Sequence, residues 1–292
     1  MNPTAALVPL LGLGWGLNWP AVRLCLVEIP PWTLRACGLT LGALVLFGFI
    51  LARGGSVRVP RRDWGTVAIV GTLTVTAFNL LSAFAQLSAS TTRSAVLAYT
   101  MPIWTVLLAR IFLGERLDAR RIVGLGLGVA GLVALGWPLL AAGEFSRGIA
   151  FAVGSGFVWA AGSTVLKRRP VAASPPAIAA WQLALGGVTA AFGMLAVEGV
   201  PAARALMPVT LAAFGFHVVI AQAAATAMWF TILDGLPAGV AAIGSLLVPG
   251  VGVIGATLIL GERPTIADWT GLALIVAASA TVLLRFGPGP AR

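Results

Sequence analysis

The chain has 292 residues, of which 59% are hydrophobic and 10% are charged, and its mean hydropathy is +0.99. A soluble domain carries roughly 25% charged residues, and it cannot hide this much apolar surface, because even a large folded domain keeps much of its surface in water. The composition therefore excludes a water-soluble protein and predicts an integral membrane protein with the lipid bilayer around it.

Ten apolar segments follow one another along the chain, each about 20 residues long, which is enough for a helix to cross a hydrocarbon core of about 30 Å. Short separators with Pro, Gly or charged residues divide them, such as KRRP at Lys167 and GERP at Gly261. The predicted helices are 4–22, 32–51, 64–85, 91–113, 122–140, 148–166, 177–197, 206–230, 237–260 and 269–286. The sequence therefore predicts an all-α, multi-pass membrane protein.

The basic residues predict the orientation, because short cytoplasmic loops collect Lys and Arg. Twelve basic residues fall on the side of the N-terminus, whereas the opposite side has six: Arg23, Arg35, Arg93, Arg147, Arg204 and Arg263. Both termini are therefore predicted to be cytoplasmic. The net charge of +10 is then mostly a topological signal, which adds attraction to anionic lipid and requires no nucleic-acid partner.

The motif LGER begins at Leu113 and again at Leu260, 147 residues later. At that offset the fourth and fifth predicted helices align with the ninth and tenth. The aligned pairs include Pro102 with Pro249, Gly124 with Gly271 and, near the start of each half at an offset of 144, Trp15 with Trp159 and Arg23 with Lys167. The chain is therefore predicted to be two copies of a five-helix unit, residues 1–141 and 146–287.

An odd number of crossings in each copy makes the second copy enter from the opposite side, which predicts inverted repeats. Many secondary transporters have this architecture, with the binding site near the bilayer midplane between the halves. Each aligned proline removes a backbone hydrogen bond, so we expect the helices to bend there as the halves rock. The LGER motifs are interpreted as structural, because glycine can end a helix and the charges lie at the water interface.

Two long stretches carry a family resemblance: MPIWTVLLARIFLGERLDARRIVGLGLGVAGLVAL and its echo VPGVGVIGATLILGERPTIADWTGLALIVAASATVL. Together with the openings GWGLNWPAVR and VWAAGSTVLKR, they resemble the EamA branch of the drug/metabolite transporter (DMT) superfamily. The resemblance covers essentially the whole chain. It implies ten helices with both termini inside and, as in the YddG-like exporters of that branch, export of amino acids or similar metabolites. The location it implies is a bacterial inner membrane.

Polar and aromatic side chains within the segments predict the substrate site, because they cost free energy in lipid unless they line a cavity or find partners. Amide and hydroxyl groups would bind the charged backbone of a small amphipathic solute, and aromatic faces would hold its side chain. The predicted substrate-binding residues are Trp15, Asn18, Asn79, Tyr99, Trp159, Ser163 and His217. Helix packing uses the same kinds of side chain, so each of these residues also fits a role between helices.

No Asp or Glu falls in the middle of a predicted helix, which argues against a carboxylate relay for protons or sodium and favours facilitated diffusion or exchange. An enzyme would need a nucleophile with a base, a carboxylate pair or metal ligands. One His and two peripheral Cys do not supply these, so neither an enzyme nor a cofactor or metal is predicted. Export of sugar phosphates or drugs, or a non-transporting lipid or scaffold role, stays open as an alternative.

Overall fold

The computed structural model of the chain describes residues 7–114, 119–141, 147–202, 205–229 and 238–283. Within these residues it contains ten helices: α1 (Leu7–Cys25), α2 (Pro31–Ala52), α3 (Arg61–Ser88), α4 (Thr91–Phe112), α5 (Ala119–Ala141), α6 (Arg147–Arg168), α7 (Pro175–Glu198), α8 (Pro208–Trp229), α9 (Ala238–Leu260) and α10 (Ile266–Leu283). Six of the described helices, α2, α3, α4, α6, α7 and α8, are long and apolar enough to cross a membrane. The prediction of an all-helical membrane protein is confirmed.

Parts of several predicted features lie outside the described residues. They are Glu115 and Arg116 of the first LGER motif, Arg204, and the predicted helix ends at 4–6, 230, 237 and 284–286.

The helices pack mainly against partners from the other half of the chain. α1 runs along α9, α2 along α7 and α5 along α10, while α6 packs against α3 and α4, and α8 packs against α1 and α2. The packing of one half corresponds to that of the other when each helix is paired with the one five places away in the chain. The α1–α9 contact then corresponds to α6–α4, and the α2–α8 contact corresponds to α7–α3. Two copies of one five-helix unit give such a pattern. A close approach occurs at Gly16, where a Cβ atom would lie 2.5 Å from Cβ of Val251 on α9.

Both LGER glycines end their helices in the left-handed conformation, as predicted, with φ of 69° at Gly114 after α4 and 68° at Gly261 after α9. Glu262 then accepts hydrogen bonds from the backbone N–H groups of Thr91 and Thr92 at 2.7 and 2.8 Å. A carboxylate at a helix N-terminus satisfies N–H groups that have no partner within the helix, and it interacts favourably with the helix dipole. The second LGER motif thus joins the end of α9 to the start of α4.

Other carboxylates cap helix starts in the same way. Glu198 at the end of α7 accepts hydrogen bonds from the backbone N–H groups of Trp32 and Thr33 at the start of α2, at 2.8 and 2.7 Å. Glu28, which follows α1, accepts one from the backbone N–H of Met207 just before α8, at 3.0 Å. These caps again connect helices from different halves.

Four of the described helices depart from regular α-helical geometry. π-Helical turns cover Gly71–Ala77 in α3 and Phe216–Ala224 in α8, two helices that correspond in the repeat, and a shorter one, Met194–Glu198, ends α7. α4 is interrupted at Tyr99 and Thr100, just before Pro102, whereas α9 continues through Pro249. The aligned prolines therefore differ: the backbone breaks before the first and not at the second.

Candidate substrate-binding site

Five polar side chains from four helices meet inside the bundle: Asn18 on α1, Arg35 on α2, Asn79 on α3, and His217 and Gln222 on α8. Arg35 is 1% exposed and His217 is fully buried, while Asn18 and Asn79 are half-buried. Three of the predicted binding residues, Asn18, Asn79 and His217, are thus brought together. We call these five residues the polar cluster.

The donors and acceptors around Arg35 fix the protonation of the imidazole. Arg35 Nε donates to the backbone oxygen of Asn79 at 2.9 Å, and Nη1 lies 3.3 Å from His217 Nε2. Because a guanidinium can only donate, His217 Nε2 accepts, and the proton of the neutral ring sits on Nδ1. His217 Nδ1 then donates to Asn18 Oδ1 at 2.7 Å. The chain of hydrogen bonds therefore runs from Arg35 through His217 to Asn18.

Gln222 and Asn79 complete the cluster between α8 and α3. Gln222 Nε2 donates to Asn79 Oδ1 at 3.3 Å and also lies 3.5 Å from His217 Nε2. Asn79 Nδ2 donates to the backbone oxygen of Val75 within α3 at 2.8 Å. His217 and Gln222 belong to the π-helical part of α8, and Asn79 follows the π-helical part of α3. Such turns occur frequently at functional sites.

Glycines on α2 make room for the cluster. A Cβ atom at Gly38 would lie 2.8 Å from His217 Nε2, and one at Gly42 would lie 2.7 Å from Gln222 Cβ. Real Cβ atoms essentially never come so close to another heavy atom. The spacing of Arg35, Gly38 and Gly42 at three and four residues places them along one face of α2. This face holds α8 near enough for Arg35 to reach the imidazole.

Arg35 is one of the basic residues that mark the outer side in the sequence pattern, and that pattern does not predict its place in the cluster. It is the fifth residue of α2 and is buried against α3 and α8. The sequence did carry a signal, namely an arginine inside an apolar segment with glycines three and seven residues later on the same helical face.

The predicted aromatic residues lie in two places. Trp15 Nε1 donates to the backbone oxygen of Ala221 at 3.1 Å, and its ring centroid is 5.7 Å from that of Trp229 on α8. Trp15 also packs against the hydrophobic cluster that contains Tyr99, which is buried at the break in α4. Trp159 meets Phe78, with centroids 5.1 Å apart. Since Phe78 directly precedes Asn79, this second aromatic contact is next to the polar cluster in the sequence of α3.

Ser163 forms no hydrogen bond to the polar cluster in the described part of the chain. Its hydroxyl donates to the backbone oxygen of Trp159 within α6, at 2.9 Å. On α3, Thr76 is buried and donates to the backbone oxygen of Gly186 at 3.4 Å, while Thr72 is exposed.

The polar cluster can bind a small solute by hydrogen bonds and by one positive charge. Its groups are two amides on the half-buried side, an imidazole, a glutamine amide and the guanidinium. Among the described residues, no set of three or more His, Cys, Asp or Glu side chains is placed to hold a metal ion.

A family model described as the EamA-like transporter family matches residues 3–137 and 146–284 of this chain. The chain is also similar in fold to a solved protein crystal structure, with a TM-score of 0.66 and 25% identity, over 95% of this chain and 98% of the other.

Three relatives of the chain are named transporters or efflux pumps. YedA, an uncharacterized inner membrane transporter of Escherichia coli (strain K12), is 25% identical over 285 residues, which cover 95% of this chain and 92% of YedA. A probable amino-acid metabolite efflux pump of the same organism is 23% identical over 271 residues, covering 90% and 88%. A riboflavin transporter of Rhizobium johnstonii is 29% identical over 197 residues, covering 64% and 60%.

Proposed function

The chain belongs to the EamA-like transporter family, and from this premise we propose that it exports amino acids or similar small metabolites. It is a multi-pass membrane protein of a non-enzymatic transporter family, with relatives in the bacterial inner membrane. The amino-acid metabolite efflux pump of Escherichia coli supports this choice of solute.

The observation that carries the proposal is the polar cluster itself. It joins Asn18, Arg35 and Asn79 from the first half to His217 and Gln222 from the second, and Trp15 lies beside it against the same part of α8. Polar groups between the halves of a duplicated membrane protein are where secondary transporters bind their substrates. Hydrogen-bonding groups would hold the backbone of an amino acid, and Trp15, Tyr99, Trp159 and Ser163 would lie around its side chain.

The proposed mechanism is alternating access by two inverted five-helix units, residues 1–141 and 146–287, with both termini in the cytoplasm. The unchanged contact pattern on exchange of the halves supports the two units, and the excess of basic residues supports the orientation. Transport would be facilitated diffusion or exchange, since the acidic residues of the described helix ends serve as caps.

The orientation can be tested by labelling single cysteines from outside intact cells, in a background with Cys25 and Cys37 replaced by alanine. Cysteines at Arg61 and Arg263 are expected to react on opposite sides of the membrane, with position 263 outside. Labelling of both positions from the same side would contradict the inverted topology.

Transport is tested by counterflow in proteoliposomes. Liposomes loaded with unlabelled amino acid should take up the labelled form faster when they contain the protein than when they contain none. A panel of apolar, polar and charged amino acids would identify the solutes. Absence of counterflow for every amino acid would reject this function.

Riboflavin export is a second candidate, favoured by the named riboflavin transporter among the relatives and by the ring contact between Trp15 and Trp229. Flat aromatic faces suit the isoalloxazine ring. The same liposomes loaded with riboflavin would distinguish it, because counterflow of riboflavin without counterflow of amino acids supports only this candidate.

A further inference from the structure

Arg35 carries a positive charge inside the bundle, and both of its hydrogen-bond acceptors, the Asn79 backbone oxygen and His217 Nε2, are neutral. Within the part of the chain that the structure describes, no Asp or Glu side chain lies within ion-pair distance of the guanidinium. A charge buried without a counter-ion is costly, and charged residues within membrane helices are usually functional. The burial of a positive charge at Arg35 therefore requires an explanation other than an ion pair.

The corresponding interface in the other half shows that packing is not that explanation. The first residues of α2 and α7, Pro31 and Pro175, align at the offset of 144 that relates the starts of the two halves, and at this offset Arg35 corresponds to Ala179, which is buried. One turn further along α7, Gln182 faces α3, where Thr74 Oγ1 donates to Gln182 Oε1 at 3.4 Å. The α3–α7 interface is the counterpart of α2–α8, and there a neutral residue occupies the position. Two helices of this fold can therefore pack at this position without a guanidinium.

The hydrogen bonds from Arg35 lead towards Asn18. His217 Nε2 accepts from Arg35, so Nδ1 donates to Asn18 Oδ1. This contact uses the oxygen of the Asn18 amide and leaves the nitrogen, Nδ2, with two N–H donors that have no partner among the described residues. Asn18 is half-buried, whereas Arg35 and His217 are buried. The group that a solute can reach at the half-buried end of this chain of hydrogen bonds is therefore a donor, Asn18 Nδ2.

We propose that Asn18 Nδ2 binds the carboxylate group of the transported solute and that Arg35, acting through His217, makes the site favour an anion. The proposal rests on the transport function proposed above and names the chemical class of the solute, organic molecules with a free carboxylate. Arg35 and His217 are positioning residues: they hold the Asn18 amide in one orientation and supply positive potential. A unit charge roughly 8 to 10 Å away at an effective dielectric constant of about 20 changes the affinity for an anion by about ten- to thirtyfold.

Binding is tested on the purified full-length protein in lipid nanodiscs, by the rise in its unfolding temperature as ligand is added. The two probes are phenylalanine and phenylalaninamide, which differ only at the carboxylate. The wild type is expected to respond to phenylalanine at a concentration at least about tenfold lower than to the amide.

Three variants distinguish an effect of the Arg35 charge, acting through His217 and Asn18, from an effect of helix packing. Arg35→Gln removes the charge but keeps a long polar side chain, and it should remove most of the preference for the carboxylate, whereas Arg35→Lys should keep part of it. Asn18→Asp keeps an oxygen that accepts from His217 but replaces the donor with a negative oxygen, so the amide probe should now bind at least as well as the acid. Gln182→Ala is the control, since it removes a buried polar side chain from the α3–α7 interface, and it should leave the ratio between the probes unchanged.

Equal responses of the wild type to both probes, or no response to either, would overturn the proposal. An unchanged preference for phenylalanine over phenylalaninamide in Asn18→Asp would also overturn the proposal. This variant tests the proposal even if Arg35→Gln does not fold. Counterflow of labelled phenylalanine is measured separately. Counterflow without a preference for the carboxylate would reject this inference and leave the proposed function intact. A preference for the carboxylate in binding, without counterflow of any amino acid, would support this inference and reject the proposed function.

Discussion

Gln222 Nε2 donates a hydrogen bond to Asn79 Oδ1 at 3.3 Å, and so connects α8 to α3, the helix that corresponds to it in the other half. The backbone oxygen of Asn79 also accepts a hydrogen bond from Arg35 Nε. Replacing Asn79 with alanine would leave the Gln222 amide without this acceptor and keep the backbone contact. We expect Asn79→Ala to weaken transport of all substrates by a similar factor, which competition between amino acids in proteoliposomes would measure. A loss confined to bulky amino acids would contradict this expectation.

Gly38→Ala tests the closeness of α2 and α8. The added Cβ would lie 2.8 Å from His217 Nε2, so the imidazole has to move, at a cost of about 1 to 3 kcal/mol for an overpacked site. We expect a transport rate at least about tenfold lower at similar protein abundance. Gly48→Ala on the same helix is the control, since its Cβ meets nothing within 4 Å. Equal rates in the two variants would show that the contact is unimportant for transport.

Trp159→Ala removes the ring contact with Phe78. An aromatic pair contributes about 0.5 to 1.5 kcal/mol beyond the area it buries, so the apparent affinity for bulky apolar amino acids should fall about two- to tenfold. Small amino acids should be affected less. Phe192→Ala, which removes a side chain that is 70% exposed, is the matched control. The hypothesis fails if both variants keep wild-type affinity for phenylalanine.

The two aligned prolines should differ in their effect on transport. α4 is interrupted at Tyr99 and Thr100, just before Pro102, and α9 is continuous through Pro249. Alanine at position 102 would permit a continuous α4, because it restores a backbone N–H donor. We expect Pro102→Ala to change the transport rate more than Pro249→Ala at matched abundance. Equal effects would mean that the interruption has no part in the transport cycle.

Glu262→Gln tests the cap on α4. The amide keeps one acceptor oxygen and loses the charge that the two N–H groups of Thr91 and Thr92 now share. A helix cap of this kind contributes about 0.5 to 2 kcal/mol, so the unfolding temperature in detergent should fall by a few degrees. Arg263→Gln changes the neighbouring exposed charge and should leave the unfolding temperature unchanged. A drop of similar size in both variants would assign the effect to loop charge in general.

The helices could be predicted because a membrane requires long apolar segments. Predicted helix 32–51 falls within Pro31–Ala52 and predicted helix 148–166 falls within Arg147–Arg168. The glycines of LGER were equally readable, since a left-handed helix end favours glycine. These features depend on neighbours in the sequence.

The role of Arg35 could not be predicted in the same way. An arginine near a predicted helix end looks the same in sequence whether it faces water or is buried, and its contacts come from α3 and α8. The π-helical turns of α3 and α8 could not be predicted either, because the apolar pattern of these segments does not distinguish them from regular α-helix. Both depend on residues distant in the sequence.

The packing of each helix against partners from the other half has a consequence for synthesis in the cell. α1 is synthesised long before its main partner, α9, so the Gly16 surface that receives Val251 stays uncovered until α9 is made. During translation the first five helices thus hold surfaces that only the later helices can cover. Slow elongation in the second half would prolong this exposed stage, so a membrane insertase or chaperone that shields α1 would protect the nascent chain from aggregation and proteolysis.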